Sequence, residues 1–226
     1  MKRLPEIFVV VLLVLGIGIL GYGALIGWWN NLFHVAAART YYQEASQLPQ
    51  DEIDQHFRRA YEHNEHLRNL GSQWFGAIAP IPADYTYILN VNGVMARLLI
   101  PSIAVDLPVL HTTTPETLAR GVGHLEGSSF PIGGYGTHTA LTTHSGIPNA
   151  RLFNRLHELV IGDYFYIYVL NRRLVYRVDS ITTILPNEIE ALRIDPDADL
   201  VTLITCTPIT VNTHRLLVRG ARVQGP

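Results

Sequence analysis

Cys206 is the only cysteine in a chain of 226 residues, and it closes the apolar run that begins TLITCTPITVNTHRLLVRG. Nine residues later Arg215 opens a second such run. A thiol is only a few per cent ionised at neutral pH. A cysteine that attacks a carbonyl therefore needs an imidazole to exchange protons with, and a donor where negative charge collects on the carbonyl oxygen. Both kinds of group stand near the ends of apolar runs. His144 closes THTALTTH ahead of the turn residues Ser145 and Gly146, and Arg215 begins RLLVRG. Strand alternation puts Thr202 and Ile204 on the face of Cys206, and puts Arg215, Leu217 and Arg219 on one face of the following run with His214 on the other. His138 and His144 have the same parity, so spacing leaves His138 or His144 as base and Arg215 or Arg219 as donor.

These groups need a frame to bring them together. MARLLI, TALTT, DYFYIYVL, RLVYRVDSITTIL, LVTLIT and RLLVRGARV are short β-branched and aromatic runs separated by turn residues. Without repeating strand–helix–strand units, they predict a barrel or sandwich. Tyr164–Leu170 and Leu174–Ile184 flank Asn171-Arg172-Arg173, a hairpin connection. Residues 149–158 and 187–193 read as short helical pieces. Upstream, residues 32–48 and 51–70 read as two helices packed outside the main domain, with Asp51 as an N-cap and Gly71 as a stop. Ile53, Phe57, Ala60, Tyr61 and Leu67 form the apolar stripe of the second. Residues 71–83 are a Gly/Pro-punctuated loop carrying Trp74 and Phe75, by default a plain connector.

The N-terminus adds a location. Ile7 to Ile26 carries no charge, and as a helix rising about 1.5 Å per residue it reaches about 30 Å, the thickness of a bilayer's hydrocarbon core. Trp28 and Trp29 follow where an interfacial anchor belongs, and Lys2 and Arg3 keep the short tip in the cytoplasm. The run is longer than the apolar region of a cleaved signal peptide, so the expectation is a retained single-pass anchor with the rest of the chain outside the cell. A lone thiol in that oxidising setting is a candidate reactive group, against the rival of an inert buried cysteine. The net charge of −2, with 17 scattered basic residues, gives no footprint for nucleic acid. One cysteine leaves no intrachain disulfide, and His63 and His66 come without HExxH or CxxC, so neither metal nor cofactor is expected.

The long motifs carry a resemblance. TLITCTPITVNTHRLLVRG resembles the catalytic segment of class C sortases, the pilin-polymerising class. GTHTALTTHSGIPNARLFNRL resembles its histidine segment, and NGVMARLLIPSIAVDLPVLHTTTPETLARGVGHLEGSSFPIGG its early barrel strands, so the likeness spans roughly residues 85–221. It implies a mainly β fold, a closed eight-stranded sortase-type barrel with N-terminal and short peripheral helices. The domains it implies are a cytoplasmic tip (1–6), a transmembrane anchor (7–29), a helical pair (30–71), a possible lid loop (72–86) and an extracellular catalytic barrel (87–226). It also implies cleavage of an LPxTG-like sorting signal between Thr and Gly, with Cys206 as nucleophile, His144 as proton-transfer group and Arg215 as oxyanion and positioning donor. The acyl group then passes to a pilin lysine, so the partners are pilin subunits and the membrane. Thr205 would line the substrate groove, and His138 would support or contact the site. Trp74 or Phe75 would form a lid, although the Asp-Pro-aromatic motif of class C lids is missing from residues 71–86. Many relatives continue into a C-terminal membrane helix, whereas this sequence ends shortly after Ala221. The rival readings are a housekeeping sortase acting on a peptidoglycan amine and a catalytically silent membrane-tethered scaffold.

Overall fold

Alternating apolar and polar side chains let each β-branched run bury one face, and here six such runs close into a barrel with two further strands. The computed structural model describes residues 12–13, 15–16, 18, 38, 40–70, 81–146, 152–209 and 211–224. Its strands are β1 (Ala96–Ile100), β2 (Val105–His111), β3 (Val122–His124), β4 (Thr137–Thr142), β5 (Tyr164–Val169), β6 (Arg172–Ile184), β7 (Asp199–Thr207) and β8 (His214–Arg222). They form a closed barrel in the order β1-β2-β3-β4-β7-β8-β6-β5, with β5 paired back onto β1. The β2–β3 and β4–β7 pairs are parallel and the others antiparallel. The eight-stranded barrel implied by the resemblance is therefore the fold.

The barrel interior is filled by inward residues such as Leu98, Val109, Phe165, Tyr176, Val201, Leu203 and Val218, all buried. Phe165 stacks on Tyr176 with ring centroids 5.5 Å apart. That stack explains the glycine of the RLLVRG motif: a Cβ on Gly220 would stand 2.5 Å from the Phe165 ring.

The strand directions give the barrel two unlike ends. The thiol end holds the last residues of β4 and β7 and the first of β8. The opposite end, the helix end, holds the start of β7, the end of β8 and the β5–β6 turn. Helix α1 (Gln50–Leu70) docks there, burying Ile53, Phe57, Ala60, His63, Asn64 and Leu67. Asn64 clamps the Phe130 backbone from both sides, donating from Nδ2 to its carbonyl (3.1 Å) and accepting its N–H on Oδ1 (2.7 Å). The Arg172 guanidinium lies 3.8 Å over the Phe57 ring. Residues 40–45 are helical too, and the Tyr41 hydroxyl donates to the Met95 carbonyl (2.9 Å) while accepting from the Leu170 N–H (2.8 Å).

Several expectations shift. Helix α1 begins at Gln50, and the Pro49 carbonyl accepts its first bonds, from the N–H groups of Glu52 and Ile53. Asp51 thus lies in the first turn, where its charge meets the helix dipole, rather than at the cap. Tyr61 is 44% exposed, and His63 and Asn64 take the buried face instead. The hairpin turn is Leu170-Asn171, because Val169 pairs with Arg172, so both arginines belong to β6. The short pieces are 3-10 helices, Phe153–Glu158 and Ile189–Leu192. Of the apolar run 7–26, only Leu12, Leu13, Leu15, Gly16 and Gly18 are described, all helical. No helix among the described residues is long and apolar enough to cross a membrane.

Candidate active site

The site begins with register. In the antiparallel β7–β8 pair Cys206 stands directly opposite Arg215, Ile204 opposite Leu217, and Thr202 opposite Arg219. Directly opposed residues share a face with Cβ atoms about 4.5–5.5 Å apart, so thiol and guanidinium emerge side by side on the outer surface of the barrel. On the other flank Ala140 pairs with Thr202 and Thr142 with Ile204. Ala140, Ile204 and Leu217 form a small apolar cluster on this face, bordered by Leu125, Ile184 and Leu192. An apolar strip therefore leads along the outer wall to Cys206, which is a free, half-buried thiol.

His144 lies two residues beyond the end of β4, and its backbone is tied down on every side. Thr143 donates its N–H to the Ile204 carbonyl (3.3 Å) and receives the Thr205 hydroxyl on its own carbonyl (2.8 Å). The Thr143 hydroxyl reaches the Gly121 carbonyl (2.8 Å). The His144 carbonyl accepts from the Phe153 N–H (3.2 Å), and Gly146 donates to Asn154 Oδ1 (2.8 Å). Ser145 Oγ donates to the carbonyl of Cys206 itself (2.7 Å). These bonds hold the His144 backbone against the last residues of β7, at the end of the barrel that carries Cys206.

The open alternatives separate by environment. His138 is 2% exposed, and both its ring nitrogens are engaged, Nδ1 with the Arg193 carbonyl and Nε2 with Thr202 Oγ1, each at 2.7 Å. A carbonyl only accepts, so Nδ1 carries the proton and Nε2 receives the threonine hydroxyl. Burial pushes this histidine's pKa down, with the Arg193 carbonyl opposing. Its ring pins the 189–193 turn over the apolar strip and has no nitrogen left for a substrate. Arg219 is spoken for as well, forked onto Asp179 at 3.1 and 2.8 Å, a contact that raises its pKa. Arg215 is different. Its Nη1 donates only to the carbonyls of Asn212 (3.2 Å) and His214 (3.0 Å), and no carboxylate pairs with it among the described residues. Its charge is left for an anion at the site.

Thr205, expected to line the groove, is 3% exposed and points to the opposite face from Cys206, with its hydroxyl spent on Thr143. The structure makes it a tie between β7 and the His144 loop. Trp74 and Phe75 lie outside the described residues. Ser145 read in the sequence only as a turn residue. Its partner is a backbone carbonyl 61 residues away, and no hydropathy pattern signals such a bond.

The family model for the Sortase domain matches residues 98–223. Sortase A from Bacillus anthracis is 30% identical over 132 residues, which cover 58% of this chain and 61% of that protein, so the chain spans less than two thirds of its length. Among solved structures, sortase C1 of Streptococcus agalactiae in complex with MTSET superposes with a TM-score of 0.77 at 36% identity, covering 84% of this chain and 97% of that one. Sortase C-1 from Streptococcus pneumoniae gives 0.76 at 39%, covering 84% and 100%. A pilus-related sortase C of group B Streptococcus gives 0.73 at 41%, covering 80% and 94%.

Proposed function

The chain belongs to the sortase family, and from that premise we propose that it is a membrane-anchored cysteine transpeptidase of the pilin-polymerising class. The observation that carries the reading is the pairing of Cys206 with Arg215 across β7 and β8, beside a His144 loop bonded to the same end of β7. Cys206 Sγ attacks the Thr carbonyl of an LPxTG-like signal. The S–C bond forms as the Thr–Gly C–N bond breaks, and His144 passes the thiol's proton to the departing Gly amine. The Arg215 guanidinium faces the carbonyl oxygen while it carries negative charge. A pilin lysine then attacks the thioester. Its N–C bond forms as S–C breaks, and the amine's proton returns through His144 to sulfur. Splitting the transfer through an acyl-enzyme is what lets a second amine compete with water.

The apolar run 7–26, with Lys2 and Arg3 before it, supports an N-terminal anchor that leaves the barrel outside the cell. Likeness to a pilus-related sortase C over 80% of the chain favours pilin subunits as substrates. The 30% identity with a sortase A keeps one rival, transfer to a peptidoglycan amine. Incubation with a pilin subunit separates the two. A ladder of covalent multimers, lost in Cys206→Ala, is the expected result. Transfer of pilin to a short glycine nucleophile without any ladder sinks the polymerase reading in favour of the housekeeping one. No reaction of Cys206 with a sorting-signal peptide would leave only a silent scaffold.

A further inference from the structure

The β4–β7 ladder ends in an unusual way. In a parallel pair each carbonyl accepts from the backbone N–H of the residue one step further along its partner strand. The register runs Thr142 with Ile204, and the Thr143 N–H still reaches the Ile204 carbonyl at 3.3 Å. Continued by two residues, the ladder would next bring the Ser145 N–H to the Cys206 carbonyl. That carbonyl instead accepts from Ser145 Oγ at 2.7 Å. Likewise the Thr143 carbonyl, which a continued ladder would give to the Cys206 N–H, accepts from Thr205 Oγ1 at 2.8 Å. Two side-chain hydroxyls have replaced two backbone donors.

A hydroxyl stands two bonds out from its Cα. A strand tied through one therefore stays attached while its backbone stands off further than a paired strand would. Both hydroxyl ties lie between the end of β4 and β7 at the level of Cys206, and His144 lies between the tied residues Thr143 and Ser145. Ser145 bonds the backbone carbonyl of Cys206 rather than its sulfur, so it acts through the backbone.

We propose that Ser145 is a positioning residue for the transfer, its hydroxyl on the Cys206 carbonyl setting the stand-off between the His144 loop and the thiol. The proposal rests on the reading of Cys206 and His144 as the reacting pair. Its geometry is independent of which acceptor amine or sorting motif the enzyme uses.

The test compares Ser145→Ala and Ser145→Thr with the parent in the full chain. Three quantities are followed: the pH profile of Cys206 alkylation by iodoacetamide, turnover of an LPxTG-containing peptide, and the thermal midpoint. Loss of one positioning hydrogen bond should lower kcat about tenfold in Ser145→Ala. KM should stay within about twofold, and the thermal midpoint should be nearly unchanged, because the uniform binding and the barrel core are untouched. The alkylation profile should shift along the pH axis, since the imidazole no longer stands at its set distance from sulfur. Ser145→Thr keeps the hydroxyl and should restore most of kcat and the profile. Parent-like kcat and alkylation in Ser145→Ala would overturn the proposal. So would a loss that follows a fall in thermal midpoint and is not rescued by threonine, which would make the bond structural only. Cys206→Ala and His144→Ala run alongside. If either retains peptide turnover, the reading of the reacting pair has failed, and that result is distinct from a failure of Ser145.

Discussion

At the scale of single residues, Arg215 is the informative charge. Of the two arginines on its face of β8, Arg219 is neutralised by a two-pronged contact with Asp179, whereas Arg215 donates to the backbone carbonyls of Asn212 and His214. Desolvating an ion pair to reuse its arginine costs more than turning a guanidinium that holds only carbonyls, so the donor role falls to Arg215. Arg215→Ala should lower kcat by about 10²–10³, equivalent to about 2.7–4 kcal/mol of transition-state stabilisation. Arg215→Lys restores the charge without the planar fork and should recover only a fraction of it. Peptide turnover measures both, and a kcat within a few-fold of the parent in Arg215→Ala would remove Arg215 from the chemistry. Parity in the sequence already put Arg215 and Arg219 on one face and could go no further. What distinguishes them is Asp179, a residue 40 positions away whose place beside Arg219 only the β6–β8 pairing determines. The same holds for His138 and His144. They share parity, and the separation comes from the Arg193 carbonyl and the Thr202 hydroxyl that close around the ring of His138.

At the scale of elements, strands with strong alternation were legible and strands defined by their neighbours were not. The six β-branched runs correspond to β1 and β4–β8. β2 and β3 are not among those runs and were legible only through the family resemblance: β2 has Pro108 inside it, and β3 is the three residues Val122–His124. Both exist because they are held between partners, β2 against β1 and β3 against β4. Helix α1 shows the converse. Its buried positions Ile53, Phe57, Ala60, Asn64 and Leu67 follow the alternating four-and-three spacing of one helix face. Reading by hydropathy put Tyr61 in the stripe and passed over Asn64, though the spacing alone pointed to it. A polar residue at that position is there to satisfy something, and Phe130 supplies both a buried N–H and a buried carbonyl. Asn64→Ala leaves the Phe130 N–H unpaired at about 1–3 kcal/mol, while the carbonyl keeps its bond from the Ile132 N–H (2.8 Å). The thermal midpoint should fall by about 5 °C. Since the thiol end does not contact this clamp, kcat measured well below the midpoint should hold. A midpoint within about 2 °C of the parent would mean that α1 contributes little to the stability of the barrel.

At the scale of the whole molecule, the two ends of the barrel divide the work. β7 alone carries the chain from Asp199 at the helix end to Cys206 at the thiol end, seven steps of about 3.3 Å or about 23 Å. The helix end is also where buried histidines gather. His124 is wholly buried, with Nε2 donating to the Ser129 carbonyl (3.0 Å) and Nδ1 receiving the Tyr85 hydroxyl (2.8 Å), and it stacks on Phe130 at 5.3 Å. His63 from α1 packs edge-on against the same ring at 5.0 Å, and His111 bonds the Ile88 carbonyl at 2.8 Å. Desolvation pushes His124 down to about 3 and His63 down to about 4, and lowers His111 as well. The neighbouring charges are weaker influences: His66 lowers His63 further, and Asp84 raises it. A histidine held neutral in the fold but free to protonate near 6.5 when unfolded gives stability that is whole above about pH 6.5 and declines as pH falls toward 4 and 3. Asp199 runs the other way, because burial raises its carboxyl and acid relieves it, but it is one group against these three and against His56 and His138, which burial lowers too. Acidification from pH 7 to about 4.5 should therefore lower the thermal midpoint, and the loss should start at the helix end, where all three rings sit between α1, the segment around Tyr85 and the barrel rim. Hydrogen exchange reads this directly: amides of α1 and of residues 85–91 should lose protection at pH 4.5 while β7 and β8 keep theirs. Protection lost first around Cys206, or evenly along the chain, would show that the histidine cluster does not govern the acid response. If the order is as expected, acid loosens the end that carries the N-terminal helices while the β7–β8 register that pairs Cys206 with Arg215 stays intact.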